Sequence, residues 1–278
     1  KIVAMADAFK DRLDECYKNV ADELANAGPG TKGTLDVPEE RKFVGFDGYL
    51  KAIPLADVVI LATPPGFRPI HFEEAVKQGK HIFMEKPVAT DPAGVQRVLA
   101  AAKIAKQKKL NVVVGLQRHY QDSYRALFAK KDMIGDITSM QAWWNNDGVW
   151  TRPRKAGQTE MEYQMRNWYY FVWLCGDHIT EQHIHNLDVI NWFKKGYPVK
   201  AQGFGGREVR KSKEHGEIFD HHFVEFHYAD GSILNSQCRH MPGTSSKVDE
   251  LLVGTKGKIY CDAARITDLR GKTIFQFD

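Results

Sequence analysis

The stretch that decides the fold class covers residues 56–65 and reads ADVVILATPP. Its centre, residues 58–62, is a continuous apolar run of strand length, which is typical of a strand covered on both faces of a sheet. Thr63, Pro64 and Pro65 follow at once and predict a turn. We therefore expect a buried parallel strand whose carboxyl end opens into a proline-rich loop.

Strand and helix patterns alternate on both sides of this stretch. Apolar runs at residues 2–6, 81–84 and 112–114 predict three more strands. Periodic apolar spacing predicts helices over residues 11–26 and 69–78, and a further helix that Asp91 caps and Pro92 begins. Such alternation predicts a doubly wound parallel sheet of the Rossmann type.

After residue 116 the sequence no longer alternates between strand and helix patterns. A strand is predicted over residues 137–144, and the dipeptide Asp230-Gly231 predicts a hairpin between strands at 221–228 and 233–238. The turn at residues 254–257 repeats this pattern, and one prominent helix is predicted over residues 180–193. We expect two domains: a dinucleotide-binding domain at 1–116, and an α/β domain at 117–278 with a largely antiparallel open sheet.

Composition narrows the class of protein. The 278 residues are 43% hydrophobic and 27% charged, which excludes a disordered or collagen-like chain, and no apolar run is long enough to span a membrane. The net charge of +4 is too small and scattered to indicate nucleic acid. Four distant cysteines favour free thiols in a reducing compartment, the cytoplasm. Export is left open, because the chain begins at Lys1 without a methionine.

Two groups at predicted strand ends suggest a nucleotide cofactor. Asp7 follows the first strand, where a carboxylate accepts hydrogen bonds from ribose hydroxyls and repels a 2′-phosphate, so NAD is favoured over NADP. The alternative is an acid at a helix N-terminus. Lys86 lies between Glu85 and Pro87 at another strand end, where it could polarise a substrate hydroxyl and where a cis bond to Pro87 could fix its direction. The alternative is a surface lysine paired with Glu85.

The predicted helix at 180–193 supplies a candidate general base. At 100° per residue, Glu181, His185 and Asp188 fall within about 60° of one another. A carboxylate one turn away stabilises an imidazolium and orients the ring, so His185 fits a base. The alternative is a satisfied core histidine. His183 points to the opposite side and is expected to be structural.

Aromatic residues crowd the segment before this helix, and Trp168 is among them. Carbohydrate faces stack on such rings, which makes Trp168 a candidate substrate contact. Most of these rings are expected in the core or an interface, because burial is the commonest use of large aromatic side chains.

Together these segments resemble the glucose–fructose oxidoreductase/inositol dehydrogenase (Gfo/Idh/MocA) family. The resemblance covers nearly the whole chain. Its Glu-Lys-Pro motif is specific, and its helix motif, Asp-x-Gly-x-His-x-x-Asp in the family, is moderately so. The segments that carry the resemblance are Ala62-Thr63-Pro64-Pro65, His71, Gly79-Lys80-His81, Glu85-Lys86-Pro87, Gly115-Leu116-Gln117-Arg118, Glu181 through His185 to Asp188, and Gly254-Thr255-Lys256-Gly257.

The resemblance implies an NAD(P)-dependent dehydrogenase that acts on CH–OH groups of sugars, polyols and related compounds. It implies that Lys86 orients the reacting hydroxyl, that His185 takes its proton, and that Glu181 supports His185. It also implies a homo-oligomer, a dimer or tetramer, built through the open sheet. The implied cofactor contacts are Asp7, Thr63, Pro64, His71, Glu85, Lys86 and Arg118, and the implied substrate contacts are Lys86, Trp168, Asp188 and His185.

The sequence departs from the family pattern in two respects. Glu181 stands for the motif's Asp and His183 for its Gly, which puts the detailed proton relay in doubt. The family's glycine-rich loop would precede Lys1, and further structure would follow Phe277, so we interpret the sequence as an internal segment of a longer protein.

Three other functions stay open. Some family members hydrolyse glycosides by transient oxidation and elimination with tightly bound NAD. A non-catalytic sugar- or NAD-binding module is a second possibility. A metal-dependent hydrolase is a third, with His178, Glu181 and His185 as ligands and His221, His222 and His227 as further ligand types. No HExxH spacing appears, so no metal site is expected.

Overall fold

The computed structural model describes residues 1–28, 30 and 33–278 of the chain. It divides into two compact units, Lys1–Gly115 and Leu116–Asp278. The division falls one residue before the predicted boundary between 116 and 117.

The first unit alternates strands and helices. Its strands are β1 (Met5–Asp7), β2 (Lys42–Val44), β3 (Val58–Leu61), β4 (His81–Met84) and β5 (Val112–Val114). Its helices are α1 (Lys10–Asn26), α2 (Gly48–Ala52), α3 (Arg68–Lys77) and α4 (Pro92–Gln107). The predicted first strand is shorter than expected: Ile2 makes only an isolated bridge to Leu35 before β1 begins.

All strand pairs of this unit are parallel, as the alternation predicts. β1 pairs with β2, and β3, β4 and β5 form a three-stranded sheet in that order. The predicted cap of α4 is confirmed, because Asp91 Oδ1 accepts a hydrogen bond from the Gly94 amide at 2.7 Å. The parallel Rossmann-like sheet expected from the sequence is therefore present.

One expectation for β3 is wrong: the strand is not covered on both faces. Val59 and Leu61 pack into a core with Phe72 of α3 and Val98 of α4. Val58 and Ile60 point to the other face and are 58% and 69% exposed. Successive side chains of a strand alternate between faces, so one face of the apolar run lies against the helices and the other does not.

The second unit is built on one large sheet. Its strands are β6 (Ile137–Asn146), β7 (Lys200–Gly206), β8 (His221–His227), β9 (Ile233–His240), β10 (Lys247–Gly254), β11 (Gly257–Tyr260), β12 (Arg265–Asp268) and β13 (Thr273–Gln276). Its helices are α5 (Asp122–Ala129), α6 (Glu160–Arg166), α7 (Val172–Cys175), α8 (Asp177–Glu181) and α9 (Ile184–Lys194).

This sheet has the strand order β13-β12-β11-β10-β6-β9-β8-β7. Every neighbouring pair is antiparallel except β6 with β9, which runs parallel. The predicted hairpins β8–β9 and β10–β11 are confirmed. Helix α9 packs on one face, where Val189, Ile190 and Phe193 join the buried core.

The single helix predicted over residues 180–193 is wrong, because the structure has two helices there. α8 ends at Glu181 and α9 begins at Ile184. Between them the His183 amide reaches back five residues to the His178 carbonyl, at 3.1 Å, which widens the turn. The buried His183 ring lies 3.1 Å from Asn186 Oδ1 and 2.8 Å from Ser236 Oγ. These contacts fix His183 in the core, as expected, and separate Glu181 from the helix that holds His185.

Within the described residues, no helix is long and apolar enough to cross a membrane.

Candidate functional site

Three chain segments follow the carboxyl ends of β3, β4 and β5. Because these strands are parallel, their ends lie at one edge of the sheet. The Glu85 amide donates to the Leu61 carbonyl at 2.9 Å, and the Gly115 amide donates to the Met84 carbonyl at 2.9 Å. The Lys86–Pro87 bond is cis. The predicted site residues Thr63, Glu85 and Lys86 therefore follow neighbouring strands at this edge.

Glu85 lies directly over Gly115. A Cβ added to Gly115 would overlap the carboxylate of Glu85, whose Cδ would be 2.8 Å away. Only a residue without a side chain leaves the carboxylate in this position. Gly115 thus has a specific task at the sheet edge, one that its place among the segments of the family resemblance did not predict.

Thr63 and His71 form a pair beneath the β3 loop. Thr63 Oγ1 lies 3.1 Å from His71 Nδ1. His71 is 6% exposed and its ring centroid lies 4.3 Å from that of Tyr49. Burial, together with the positive charge of Arg68, lowers the pKa of His71 to about 4. The ring is therefore neutral at neutral pH and acts on Thr63 by hydrogen bonding.

Arg68 is a buried charge that no sequence pattern predicts. It is 1% exposed, and its Nη1 donates to the Leu61 carbonyl at 2.5 Å. Burial lowers the pKa of Arg68 to about 10, and the charge of Glu85 opposes that shift. An arginine in the first turn of a helix gives no signal of burial in the sequence.

Asp7 closes β1. Its Oδ1 accepts a hydrogen bond from the Phe9 amide at 2.8 Å, one residue before α1 begins. This bond matches the alternative of an acid at a helix N-terminus. It also orients the carboxylate at a strand end, so the two interpretations of Asp7 are compatible.

In the second unit, His185 lies in the first turn of α9. It is 6% exposed, and its ring stacks on Trp144 of β6 with centroids 5.8 Å apart and 25° between planes. Glu181, also 6% exposed, ends α8. Its negative charge helps burial to raise the pKa of Tyr169. The two predicted catalytic residues of this unit are thus both nearly buried, on separate helices.

Asp188 contacts a histidine that the helical spacing did not predict. Its Oδ2 lies 2.7 Å from His119 Nε2, and the His119 ring stacks on Trp192 with centroids 4.2 Å apart. Burial raises the pKa of Asp188, and the charge of His119 opposes this shift. Asp188 therefore pairs with His119 while it shares α9 with His185, and its predicted substrate contact stays a prediction.

Arg118 lies in a buried polar cluster. Its Nη1 donates to Glu250, which also accepts from Tyr124 Oη at 3.0 Å and from Asn186 Nδ2 at 2.7 Å. Burial raises the pKa of Glu250 to about 7, against the opposing charge of Arg118. This structural pairing is the observed environment of Arg118, whose cofactor contact stays a prediction.

Trp168 lies in a group of aromatic rings. Its centroid is 6.0 Å from that of Trp150 and 5.7 Å from that of Tyr169. Tyr169 is buried, whereas Trp168 is half-buried and Trp150 is 41% exposed. Much of the aromatic segment is therefore core, as expected, with Trp168 at its margin.

Known proteins resemble both the sequence and the fold. Residues 18–116 match the family described as "Oxidoreductase family, NAD-binding Rossmann fold". An inositol 2-dehydrogenase from Gluconacetobacter diazotrophicus is 30% identical over 168 residues, which cover 60% of this chain and 43% of that protein. The match thus spans less than half the length of this relative.

Two solved structures share the fold. The apo scyllo-inositol dehydrogenase of Lactobacillus casei, 20% identical, superposes with a TM-score of 0.68 over 94% of this chain and 67% of its own. A levoglucosan dehydrogenase in complex with NADH, 14% identical, superposes with a TM-score of 0.71 over 99% of this chain and 71% of its own. Residues 18–116 thus match an NAD-binding oxidoreductase family, and the chain shares its fold with these two dehydrogenase structures.

Proposed function

We propose that the protein is an NAD-dependent dehydrogenase that transfers hydride between nicotinamide and a CH–OH carbon of a sugar, a polyol or a related compound. The observation that carries the proposal is the match of residues 18–116 to an NAD-binding oxidoreductase family. Relatives named inositol 2-dehydrogenase support a polyol or sugar as the substrate.

The residues at the strand ends fit NAD. The Asp7 carboxylate, oriented by the Phe9 amide, offers acceptors for the two ribose hydroxyls and would repel a 2′-phosphate. Thr63, held by neutral His71, offers a hydroxyl at the next strand end. The bound nicotinamide would supply the acceptor or donor of hydride.

Lys86 is the proposed electrostatic catalyst. It follows β4, with Glu85 on one side and the cis bond to Pro87 on the other. An ammonium group beside a reacting hydroxyl favours the alkoxide, because it stabilises the negative charge that develops as the proton leaves. We assign Lys86 the task of orienting the substrate and stabilising that charge.

His185 is the proposed general base. A nearly buried imidazole stacked on Trp144 has little rotational freedom, which suits a group that must meet one proton. In the oxidation, His185 takes the hydroxyl proton as the carbon gives up its hydride; in the reduction it returns that proton. We assign Glu181 a positioning role towards His185, and Trp168 a stacking contact with the sugar ring.

A spectroscopic assay tests the proposal. Full-length protein is incubated with NAD and a panel of sugars and cyclic polyols, and formation of reduced nicotinamide is followed by absorbance. Lys86→Ala and His185→Asn should each lower kcat at least a hundredfold, as expected for acid–base and charge-stabilising groups. The exposed Lys106→Ala and the partly buried His215→Asn, neither of which is assigned a role in the reaction, serve as matched controls. Absence of turnover with every compound, in protein shown to bind NAD, would contradict the proposal. Release of aglycone without net NAD reduction would instead identify the NAD-dependent glycosidase.

We also propose that the second unit assembles into a homo-oligomer through its open sheet. The edge strand β7 presents Phe204, which is 69% exposed and stacks on Phe223 of β8 with centroids 5.5 Å apart. Tyr197 and Val199, just before β7, are 81% and 69% exposed. Exposed aromatic surface of this kind is typical of interfaces. Phe204→Asp should shift the mass measured by light scattering to that of the monomer, and an unchanged mass would contradict the interface.

The proposed compartment is the cytoplasm. All four cysteines are free, and three of them are buried. Cell fractionation of the native host tests this assignment, which recovery of the protein in an exported fraction would overturn.

A further inference from the structure

Three side chains that the proposed reaction does not use converge in the second unit. His178, His222 and Cys238 each place one potential ligand atom within 4.8 Å of the other two. His222 and Cys238 are direct cross-strand partners on β8 and β9, and His178 reaches them from α8. The sequence shows no metal-binding spacing here because the three residues meet only through the sheet register.

His178 and Cys238 are buried, and two nitrogens of the cluster lack a hydrogen-bond partner among the described residues. His178 is 0% and Cys238 is 1% exposed. His178 Nε2 has no hydrogen-bond partner among the described residues, and His222 Nε2 contacts only Asp177 Oδ1 there, at 3.3 Å and outside hydrogen-bond geometry. A buried polar nitrogen without a partner is destabilising and therefore requires an explanation. A cation would satisfy such nitrogen lone pairs, as well as the sulfur.

Asp177 orients the histidines. Its Oδ1 lies 2.9 Å from His178 Nδ1 and 3.3 Å from His222 Nε2, and its Oδ2 accepts from the Phe219 amide at 2.9 Å. A carboxylate that contacts a ligating imidazole fixes its tautomer and ring direction, and this is the usual outer support of a metal-bound histidine. Asp177 also supplies negative charge beside the cluster.

His240 is close but is occupied by another contact. Its ring centroid lies 4.6 Å from that of His178. Its Nδ1 lies 2.8 Å from Nη2 of Arg210, a group that can only donate. In the neutral ring the proton is then on Nε2, which excludes His240 as a ligand in this arrangement. The protein therefore offers three ligands, with the fourth position left to water.

We propose that His178, His222 and Cys238 bind a divalent transition-metal ion of the zinc type. Two imidazoles and a thiolate are the mixed nitrogen and sulfur set that Zn²⁺ prefers over calcium or magnesium. Ligand atoms at about 2.0–2.3 Å from a tetrahedral ion lie roughly 3.5 Å apart, so small side-chain rotations close the cluster around it. On binding, the Cys238 thiol releases its proton to solvent as the sulfur–metal bond forms.

The ion would hold α8 against the sheet. The carbonyl of His178 accepts the amides of Gln182 and His183, at 3.0 and 3.1 Å, so the metal-bound residue anchors the turn that leads to α9. This is a structural task, and it holds whether or not the protein is a dehydrogenase.

Metal binding without any substrate tests the inference. Tag-free full-length protein is stripped with chelator, titrated with Co²⁺ and then with Zn²⁺, and analysed for bound metal after desalting. We expect stoichiometric binding, tetrahedral cobalt bands with a sulfur-to-cobalt charge-transfer band, and displacement of that spectrum by zinc. The charge-transfer band should be lost in Cys238→Ser and kept in Cys261→Ser, which alters another buried thiol of the same unit.

Two outcomes would overturn the site. One is wild-type protein that retains no stoichiometric Co²⁺ or Zn²⁺, or whose cobalt spectrum lacks the thiolate band. The other is a Cys238→Ser spectrum equal to that of wild type. A second variant, His222→Gln, should weaken Zn²⁺ binding at least tenfold. Chelator should lower the melting temperature of wild type, and an unchanged melting temperature would contradict the anchoring of α8.

Discussion

The hydroxyl of Thr63 and the imidazole of His71 are 3.1 Å apart, and the imidazole is held neutral by burial. Thr63, at the predicted cofactor edge, is thus a hydrogen-bond partner of a histidine. Protonation of that histidine would place a positive charge in a buried site. The pair links the pH of the solution to the stability of the first unit.

The first prediction concerns acid stability. The pKa of His71 falls from 6.5 in the unfolded chain to about 4 in the fold, so the unfolded state binds the proton first. The free energy of unfolding should therefore decrease as the pH falls from 6.5 to 4, by up to about 3 kcal/mol from this group. Denaturant titrations across that window should show a smaller slope in His71→Gln. Thr63→Val keeps the histidine and should keep the slope. Equal slopes in wild type and His71→Gln would refute the argument.

The second prediction concerns Gly115. In Gly115→Ala the new Cβ must displace the Glu85 carboxylate, the mobile end of a side chain, so the fold should lose little stability. The cofactor edge changes instead, and we expect KM for NAD to rise about fivefold, equivalent to about 1 kcal/mol. Gly28→Ala, where nothing lies within 4 Å of the added Cβ, is the matched control. A Gly115→Ala enzyme with unchanged KM and kcat would show that Glu85 does not contribute to this edge.

The third prediction separates two roles of Arg118. Arg118→Met leaves the Glu250 carboxylate buried without its cation and should destabilise the protein by about 3–5 kcal/mol. The double variant Arg118→Met/Glu250→Met should recover most of that loss, as measured by chemical unfolding. If Arg118 also contacts the cofactor, KM for NAD stays high in the recovered double variant. A normal KM there would leave Arg118 with the structural role alone.

The fourth prediction distinguishes the two acids near His185. Glu181→Gln removes a negative charge that would stabilise the imidazolium, so the acid limb of the kcat/KM pH profile should move to lower pH. Asp188→Asn removes the partner of His119 and should leave that limb in place while lowering the melting temperature. If Asp188→Asn moves the acid limb and Glu181→Gln does not, Asp188 is the carboxylate that supports His185, as the helical spacing predicts.

Local patterns predicted the parts of the fold that depend on local physics. The apolar runs of β3, β4 and β5 and the Asp91 cap were correct because pleat, burial and capping act within a few residues. The helix predicted over residues 180–193 was wrong: the chain turns between Glu181 and Ile184, where the His183 ring contacts Ser236 on a strand distant in sequence, and no local pattern reveals that contact. The pairing of Arg118 with Glu250, 132 residues apart, was missed for the same reason.

The candidate site likewise has features that local sequence predicts and features that depend on tertiary contacts. The positions of Lys86 and Asp7 after strands were predictable because strand ends can be read from sequence, and their roles stay predictions. The tasks of Gly115 and Arg68 were not predicted because they depend on close approach and burial. The cluster of His178, His222 and Cys238 depends on strand register, which is set by the assembled sheet.

The parallel pairing of β6 with β9 also governs how the second unit must fold. Ser139 pairs with Ile233, and the other neighbour of β6 is β10, whose Leu252 pairs with Met140. Both neighbours of this central strand are thus synthesised long after it. Closing such long loops costs entropy before any contact compensates for it, and a high mean sequence separation of contacts slows folding. During synthesis, both edges of β6 therefore lack their native partner strands until β9 and β10 are made. We expect chaperones to bind the nascent chain at this strand.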